Sequence, residues 1–302
     1  MPLPSWYGRW IEEAINVNGR TIFFILGCQK SGTTWVQHLL DAHPNIACAG
    51  EGHITDLIMP LLKQSFEAYE ERQRRRPPGL EVMFSSEDLA GVIKLLSDRL
   101  LAQYLREGGG SDRVLALGDK TPEYAMAMRL LNDMYPAAKF VHVIRDGRDA
   151  AVSGWAHVGR QGGNEQFRSF GAYAEYFAEY HWVPYITCAR EAGKGFPDRY
   201  LEIRYENLHD NPAQEVQRLL GFLEMEAGGE AIARCLEGGS FEKLSGGRAC
   251  GEEDATSFFR KGVTGDWKLG FDEETLEGFE KHAGKLLEEL GYERHPVGSG
   301  IE

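Results

Sequence analysis

The chain has 302 residues, 42% hydrophobic and 26% charged, the composition of a globular protein in water. Its formal net charge of −13 and pI near 5.3 exclude a general nucleic-acid binder and argue against adsorption to acidic membranes or polyanions, so any anionic ligand needs a local positive site. Five scattered cysteines, odd in number and with no CxxC, argue against a disulfide framework or a thiolate metal cage and fit a reducing compartment. No stretch has membrane-spanning length, and MPLPSWYGRW lacks the apolar core of a signal peptide. The expectation is a cytoplasmic catalytic chain without membrane insertion.

Residues 1–19, with Trp6, Tyr7, Trp10 and Ile11, read as an amphipathic lead-in over the core. Thr21 to Leu26 is the first strand, an apolar run suited to the middle of a parallel sheet. A loop bounded by Gly27 and Gly32 follows, and Thr33 to Ala42 reads as a helix ending before His43-Pro44. A strand, a glycine-bounded loop and a helix start aim unpaired backbone N–H groups and the helix dipole at one anion. Lys30, Ser31, Thr33 and Thr34 add donors there. The triphosphate-binding loop GxxxxGK[ST] has its Lys directly after the second Gly. Here the Lys comes two residues before Gly32, which points away from an ATPase.

Ile46 to Ala49 is a short strand-like run leading into Gly50-Glu51-Gly52-His53. That segment reads either as a tight loop lending Glu51 to a site or as a plain turn with an exposed acid. Thr55 to about Arg75 reads as one helix by its apolar spacing. The basic run Arg74–Arg76 before Pro77-Pro78-Gly79 reads as a solvated helix end. Ser86 starts a further helix, and Gly108-Gly109-Gly110-Ser111 a loop. Val114 to Leu117 is the second buried strand. Asp119, Lys120 and Thr121 lie at its end, where open α/β sheets bind ligands, and Pro122 opens a helix from Glu123 to Met134.

Lys139 to Ile144 is the third strand, ending in Arg145-Asp146-Gly147-Arg148-Asp149. Ser153 follows eight residues after Arg145, about two turns into a helix, so the guanidinium and the hydroxyl can meet on one dianion. Phe170 to Glu191 reads as one helix whose aromatic stripe, Tyr173 to Tyr185, is core. Tyr200 to Ile203 is the fourth strand, followed by Arg204-Tyr205-Glu206-Asn207. Helices follow after Asn211-Pro212 and over Ala231 to Leu236. Gly246 to Thr256 reads as a flexible loop. Then Phe258-Phe259-Arg260-Lys261-Gly262-Val263-Thr264-Gly265-Asp266-Trp267-Lys268 groups two cations, a Gly and an aromatic pair in no regular period. Asp272 to Leu290 is the last helix. Strands alternating with helices, with no repeat and no linker, indicate α/β architecture in a single domain over residues 1–302, around a parallel sheet flanked by helices.

Four separated motifs, KSGTTW at Lys30–Trp35, the Arg145–Ser153 spacing, the Tyr205 turn and RKGVTGDWK at Arg260–Lys268, resemble those of sulfotransferases that use 3′-phosphoadenosine 5′-phosphosulfate (PAPS). The resemblance spans about residues 20–270 and implies a P-loop-like fold. It implies that Lys30, Ser31, Gly32, Thr33 and Thr34 hold the 5′-phosphosulfate and that Trp35 stacks on adenine. It also implies that Arg145, Ser153, Arg260, Lys261 and Gly262 bind the 3′-phosphate, and that Tyr205 and Ser240-Phe241 complete the adenosine pocket.

The cytosolic branch of that family carries a catalytic His after Lys-Thr. Here the segment is Lys120-Thr121-Pro122, with no His. Glu51-Gly52-His53 resembles the Glu-x-His of heparan-type members, so Glu51 is the expected general base and His53 the alternative. Lys30 and Lys120 are expected to stabilise charge on the leaving phosphate and the sulfuryl oxygens, with no metal required. The acidic chain argues for a small-molecule alcohol, phenol, lipid or natural-product hydroxyl as acceptor, with residues 54–110, 160–170 and 246–257 shaping its pocket. The rival readings are a P-loop kinase or NTPase, with Asp119 near Mg²⁺, and a nucleotide-binding homologue without chemistry. Oligomeric state is not legible.

Overall fold

A computed structural model describes residues 4–80, 83–107 and 113–294. Five parallel strands form one sheet: β1 (Thr21–Gly27), β2 (Ile46–Cys48), β3 (Ala116–Lys120), β4 (Lys139–Ile144) and β5 (Tyr200–Arg204), in the order β2-β3-β1-β4-β5. Helices cover both faces, as expected for an α/β sheet. The strand-like run after the first helix is thus a genuine edge strand, β2, paired to β3 from Ile46–Ala116 to Cys48–Gly118.

β1 is central because its run is buried on both sides. Ile22, Phe24 and Leu26 pack with Tyr124, Tyr135 and Phe140 on one face, while Phe23 and Ile25 pack with Val36, Leu39 and Leu219 on the other. The chain leaves β1 toward β2 on one side and later returns to β4 on the other. The crevice at that switch point lies beyond the carboxyl ends of the strands. Register fixes what reaches it: Ile25 pairs with Lys120 and Gly27 with Val143, so the loops after β1, β3 and β4 emerge side by side.

Several helices differ from their sequence reading. The lead-in is a helix, Ser5–Asn18, that ties to helix Ser86–Glu107 through Asn18 Nδ2 to Asp98 at 3.2 Å and Arg106 Nη1 to Glu13 at 2.7 Å. The stretch 54–74 begins with a π turn, Ile54–Ile58, before Met59–Arg74. Pro122–Met126 is a 3₁₀ turn, and the α-helix is only Met128–Met134. The long aromatic helix divides into Phe170–Phe177, a π turn Ala178–Trp182 and Val183–Gly193. Pro184, which has no N–H to give, sits where the widened turn hands over to the last helix. Tyr173, Phe177 and Trp182 of its stripe are core, whereas Tyr176 and Tyr180 are exposed. The glycine loop at 108–111 lies outside the described residues. No described helix is long and apolar enough to cross a membrane.

Candidate functional site

A cavity of about 540 Å³ opens at the switch point. Lys30, Gly32, Thr33, Thr34, Trp35, Glu51, His53, Arg145, Ser153, Tyr205, Phe241, Arg260, Lys261 and Gly262 all line it. Seven chain segments therefore converge. Ser31 is fully buried beneath the loop, Lys120 is buried behind Glu51, and Ser240 caps helix Phe241–Ser245 by accepting from Lys243 N at 3.4 Å.

The loop after β1 is shaped by its backbone. Lys30 holds φ 66°, unusual for a residue with a Cβ. Gly32 has φ 97°, and a Cβ there would lie 2.6 Å from the Tyr205 ring. Only Gly lets the helix start approach Tyr205 so closely. Arg145 locks this loop from β4: Nη1 donates to Lys30 O at 3.2 Å and Nη2 to Val263 O at 3.0 Å, and its guanidinium stacks 4.2 Å over Tyr205. Trp35 meets Tyr205 edge-on at 5.2 Å and donates Nε1–H to Gly239 O at 2.8 Å. Lys30 Nζ rests 4.1 Å over the Phe258 ring. Burial, then the Arg160, Arg145 and Lys120 charges, lower its pKa to about 8 against the pull of Glu51.

The second cationic end is the segment 260–266. Asp149, in helix Gly147–Arg160, accepts from Gly265 N at 2.7 Å and Trp267 N at 2.8 Å, which fastens that segment beside Ser153. Gly262 has φ 68°, and a Cβ there would lie 2.5 Å from the Phe241 ring. Arg260 ion-pairs with Asp266 and Glu253; Lys261 pairs with Asp266 at 2.6 Å and Glu253 at 3.7 Å. The stretch read as a flexible loop is laced to this segment. Gly251 N donates to Lys261 O at 2.9 Å, Asp254 N to Arg260 O at 2.9 Å, and Arg248 Nη1 to Arg260 O at 2.9 Å.

Glu51 stands between Gly50 and Gly52 on the far wall. Its Oε1 pairs with Lys120 and its Oε2 lies 3.2 Å from His53 Nε2, while His53 Nδ1 donates to Asp56 at 2.7 Å. Burial pushes the Glu51 carboxyl up, but the Lys120 bond and the Lys120 and His53 charges outweigh it and leave it below the usual value. Burial lowers His53, and the bond and charge of Asp56, with the Glu123 and Glu51 charges, more than reverse that. Asp119 does not face the cavity. It is fully buried and accepts from Gly52 N at 3.1 Å, Tyr104 Oη at 3.0 Å and the Tyr124 hydroxyl. Burial raises its pKa to about 6 despite those bonds. Its position argues against a metal-holding acid and for a post that fixes the Glu51 loop.

Sequence reasoning missed Gln29, Glu123, His157 and His209, which also line the cavity, and gave no role to Phe258 of the aromatic pair, which lines it too. His157 alone had a signal, since it follows Ser153 by one helical turn. Of the three segments expected to shape an acceptor pocket, 160–170 and 246–257 reach the cavity through Gln161 and Cys250. None of the described residues of 54–110 lines it, because helices Met59–Arg74 and Ser86–Glu107 run outside the Glu51 loop.

Four buried polar atoms in this site have no partner among the described residues: one acceptor, Glu123 Oε2, and three donors, Ser31 Oγ, Arg145 Nε and Arg260 Nε. Buried donors are ordinarily satisfied. The three donors sit at the loop after β1, at the end of β4 and in the 260–266 segment, which suits an anionic ligand with charge at two ends.

The chain matches the model of the Sulfotransferase family over residues 23–228. It is 26% identical over 303 residues to nodulation protein NoeE of Sinorhizobium fredii, covering 93% of this chain and 68% of that protein. It is 24% identical over 278 residues to a putative protein-tyrosine sulfotransferase of Caenorhabditis briggsae, covering 91% and 90%. Its fold is like that of mouse sulfotransferase SULT7A1 complexed with PAP, with TM-score 0.57, 18% identity and coverage of 89% and 85%. It is also like that of retinol dehydratase in complex with androsterone and inactive cofactor PAP, with TM-score 0.51, 22% identity and coverage of 96% and 88%.

Proposed function

Because the chain belongs to the sulfotransferase family, we propose that this cavity takes PAPS and moves its sulfuryl group to a hydroxyl of a small-molecule acceptor, the whole chain acting as one domain. The observation that carries the proposal is the convergence of Lys30, Arg145 and Arg260, with the unpartnered Ser31 Oγ, Arg145 Nε and Arg260 Nε, on one cavity that Glu51 also lines.

The residues divide the work. Lys30, Ser31, Thr33 and Thr34 hold the 5′ end, where charge grows on the departing phosphate, and Lys30 neutralises it. Arg145, Ser153, Arg260, Lys261 and the Gly262 backbone hold the 3′-phosphate. Trp35, Tyr205 and Phe241 offer aromatic faces to the adenine. Glu51 takes the acceptor's proton as the new O–S bond forms, and Lys120 holds its other oxygen so that the carboxylate is already oriented. Lys120 thus reaches the reaction through Glu51. Because the leaving group is already a phosphate, this arrangement works by positioning and donors without a metal.

Incubation with labelled PAPS and a panel of alcohols and phenols, in the presence of chelator, should give sulfated product and 3′-phosphoadenosine 5′-phosphate (PAP). Robust Mg²⁺-dependent ATP hydrolysis with no sulfuryl transfer would favour the P-loop kinase reading instead.

The 3′ clamp is neutralised from within, since Glu253 and Asp266 occupy the same two cations an incoming phosphate needs. Glu253 is the more exposed of the two acids. Glu253→Gln is therefore expected to tighten PAP binding about fivefold, the scale of one exposed ion pair. Titration calorimetry reads this directly. Weaker binding would mean that Glu253 instead orders the clamp.

A further inference from the structure

Helix Gly147–Arg160 carries two side chains into the cavity wall one turn apart, Ser153 and His157. The first belongs to the 3′ clamp proposed above; the second has no role in it. His157 Nδ1 lies 3.0 Å from Arg160 Nη2. A guanidinium has protons to give and no lone pair to offer, so Arg160 donates and Nδ1 accepts. The ring's own proton then sits on Nε2. Arg160 is itself held, with Nη1 donating to Ala255 O at 3.0 Å.

The position of His157 is equally constrained. Its ring meets Phe258 edge-on at 6.3 Å, and Lys30 Nζ rests over that same Phe258 ring. The charged groups acting on it are Lys30 from the loop after β1, Arg160 from its own helix and Glu51 from the opposite wall. Burial, then Lys30 and Arg160, lower its pKa, and Glu51 opposes them. The imidazole is therefore neutral at pH 7, a hydrogen-bond donor that adds no charge. His157 thus lines the same cavity as Lys30 and Glu51, the two groups between which the proposed transfer runs.

We infer that His157 is a further catalytic residue: held by Arg160 as the Nε2–H tautomer, it donates a hydrogen bond to a sulfuryl oxygen during transfer. This rests on the PAPS reading. The acceptor oxygen bonds to sulfur, the sulfur–oxygen bond to the 5′-phosphate breaks with its electron pair going to that phosphate, and the acceptor proton goes to Glu51. His157 keeps its proton throughout. Arg160 is a positioning residue, acting through the imidazole.

The test combines turnover, PAP binding and imidazole ¹⁵N spectra in wild type, His157→Ala, His157→Gln and Arg160→Ala. PAP has no sulfuryl group, so its affinity should be unchanged in both His157 variants. Turnover should fall about 10²-fold in His157→Ala, the low end of the loss for one preorganised donor. The Gln variant, whose amide can donate, should recover part of it. The wild-type spectrum should show the Nε2–H tautomer, and Arg160→Ala should mix the tautomers and lower kcat. Wild-type kcat in His157→Ala with PAP binding intact, or an Nδ1–H tautomer in the wild type, would overturn the role. If the wild-type protein bound no PAP at all, the donor reading itself would fall, which is a different result.

Discussion

Lys30→Met should lower kcat for sulfuryl transfer by about 10²- to 10³-fold, the loss that follows removal of one preorganised donor to developing charge. Lys30 has no ion-pair partner among the described residues, and its ammonium rests on the Phe258 ring rather than on a carboxylate. That leaves it available to an incoming anion. Its left-handed backbone is held by the Arg145 bond to its carbonyl, so the substitution keeps the loop while removing the charge. The same residue sets a pH dependence. Burial and the neighbouring Arg160, Arg145 and Lys120 charges bring its pKa to about 8 in the free protein. A bound anion favours the protonated form and raises that value. Donor affinity should therefore be level below pH 8 and weaken as pH rises above it, with uptake of up to one proton on binding. Calorimetry in buffers of different ionisation enthalpy measures that uptake, and Lys30→Met should abolish it.

Glu51→Gln should cost at least about 10²-fold in kcat with PAP affinity close to wild type, as expected for loss of a general base. The amide keeps the size and a hydrogen-bonding oxygen for Lys120, but it cannot take a proton. The depressed pKa of the carboxyl means that Glu51 is ionised at neutral pH, so it acts through its fixed position rather than through high basicity. Single-turnover rates with a responsive acceptor separate the chemical step from product release. Rates within a few-fold of wild type would hand the role to His53, whose Nε2 faces the same wall.

The sequence made much of this fold readable for a simple reason. Strands buried on both faces appear as unbroken apolar runs, and their polar ends mark the rim where ligands bind, so Lys30, Lys120 and Arg145 could be placed before any coordinates. Helix boundaries were less legible. The π turns at 54–58 and 178–182 and the 3₁₀ turn at 122–126 arise from local departures that hydrophobic spacing does not encode. Ion pairing was not legible at all. Lys120 looked like a cation for the phosphate and turned out to be bound to Glu51, while Glu253 fell in a stretch read as a flexible loop and closes on Arg260 and Lys261. Those contacts join residues far apart in the chain or across an irregular loop, where no periodicity reports them. His157 illustrates the same limit: its i+4 relation to Ser153 is in the sequence, but its tautomer is set by the contact with Arg160.

The central claim is that one cavity grips an adenosine carrying separate anionic groups at its 3′ and 5′ positions. Calorimetric affinities for PAP and for adenosine 5′-phosphate, which lacks the 3′-phosphate, test it most directly in wild type and Arg260→Ala. PAP should bind the wild type at least about 10²-fold more tightly, roughly 2.7 kcal/mol, and that gap should largely close in the variant. Equal affinity of the two nucleotides for the wild-type protein would contradict it.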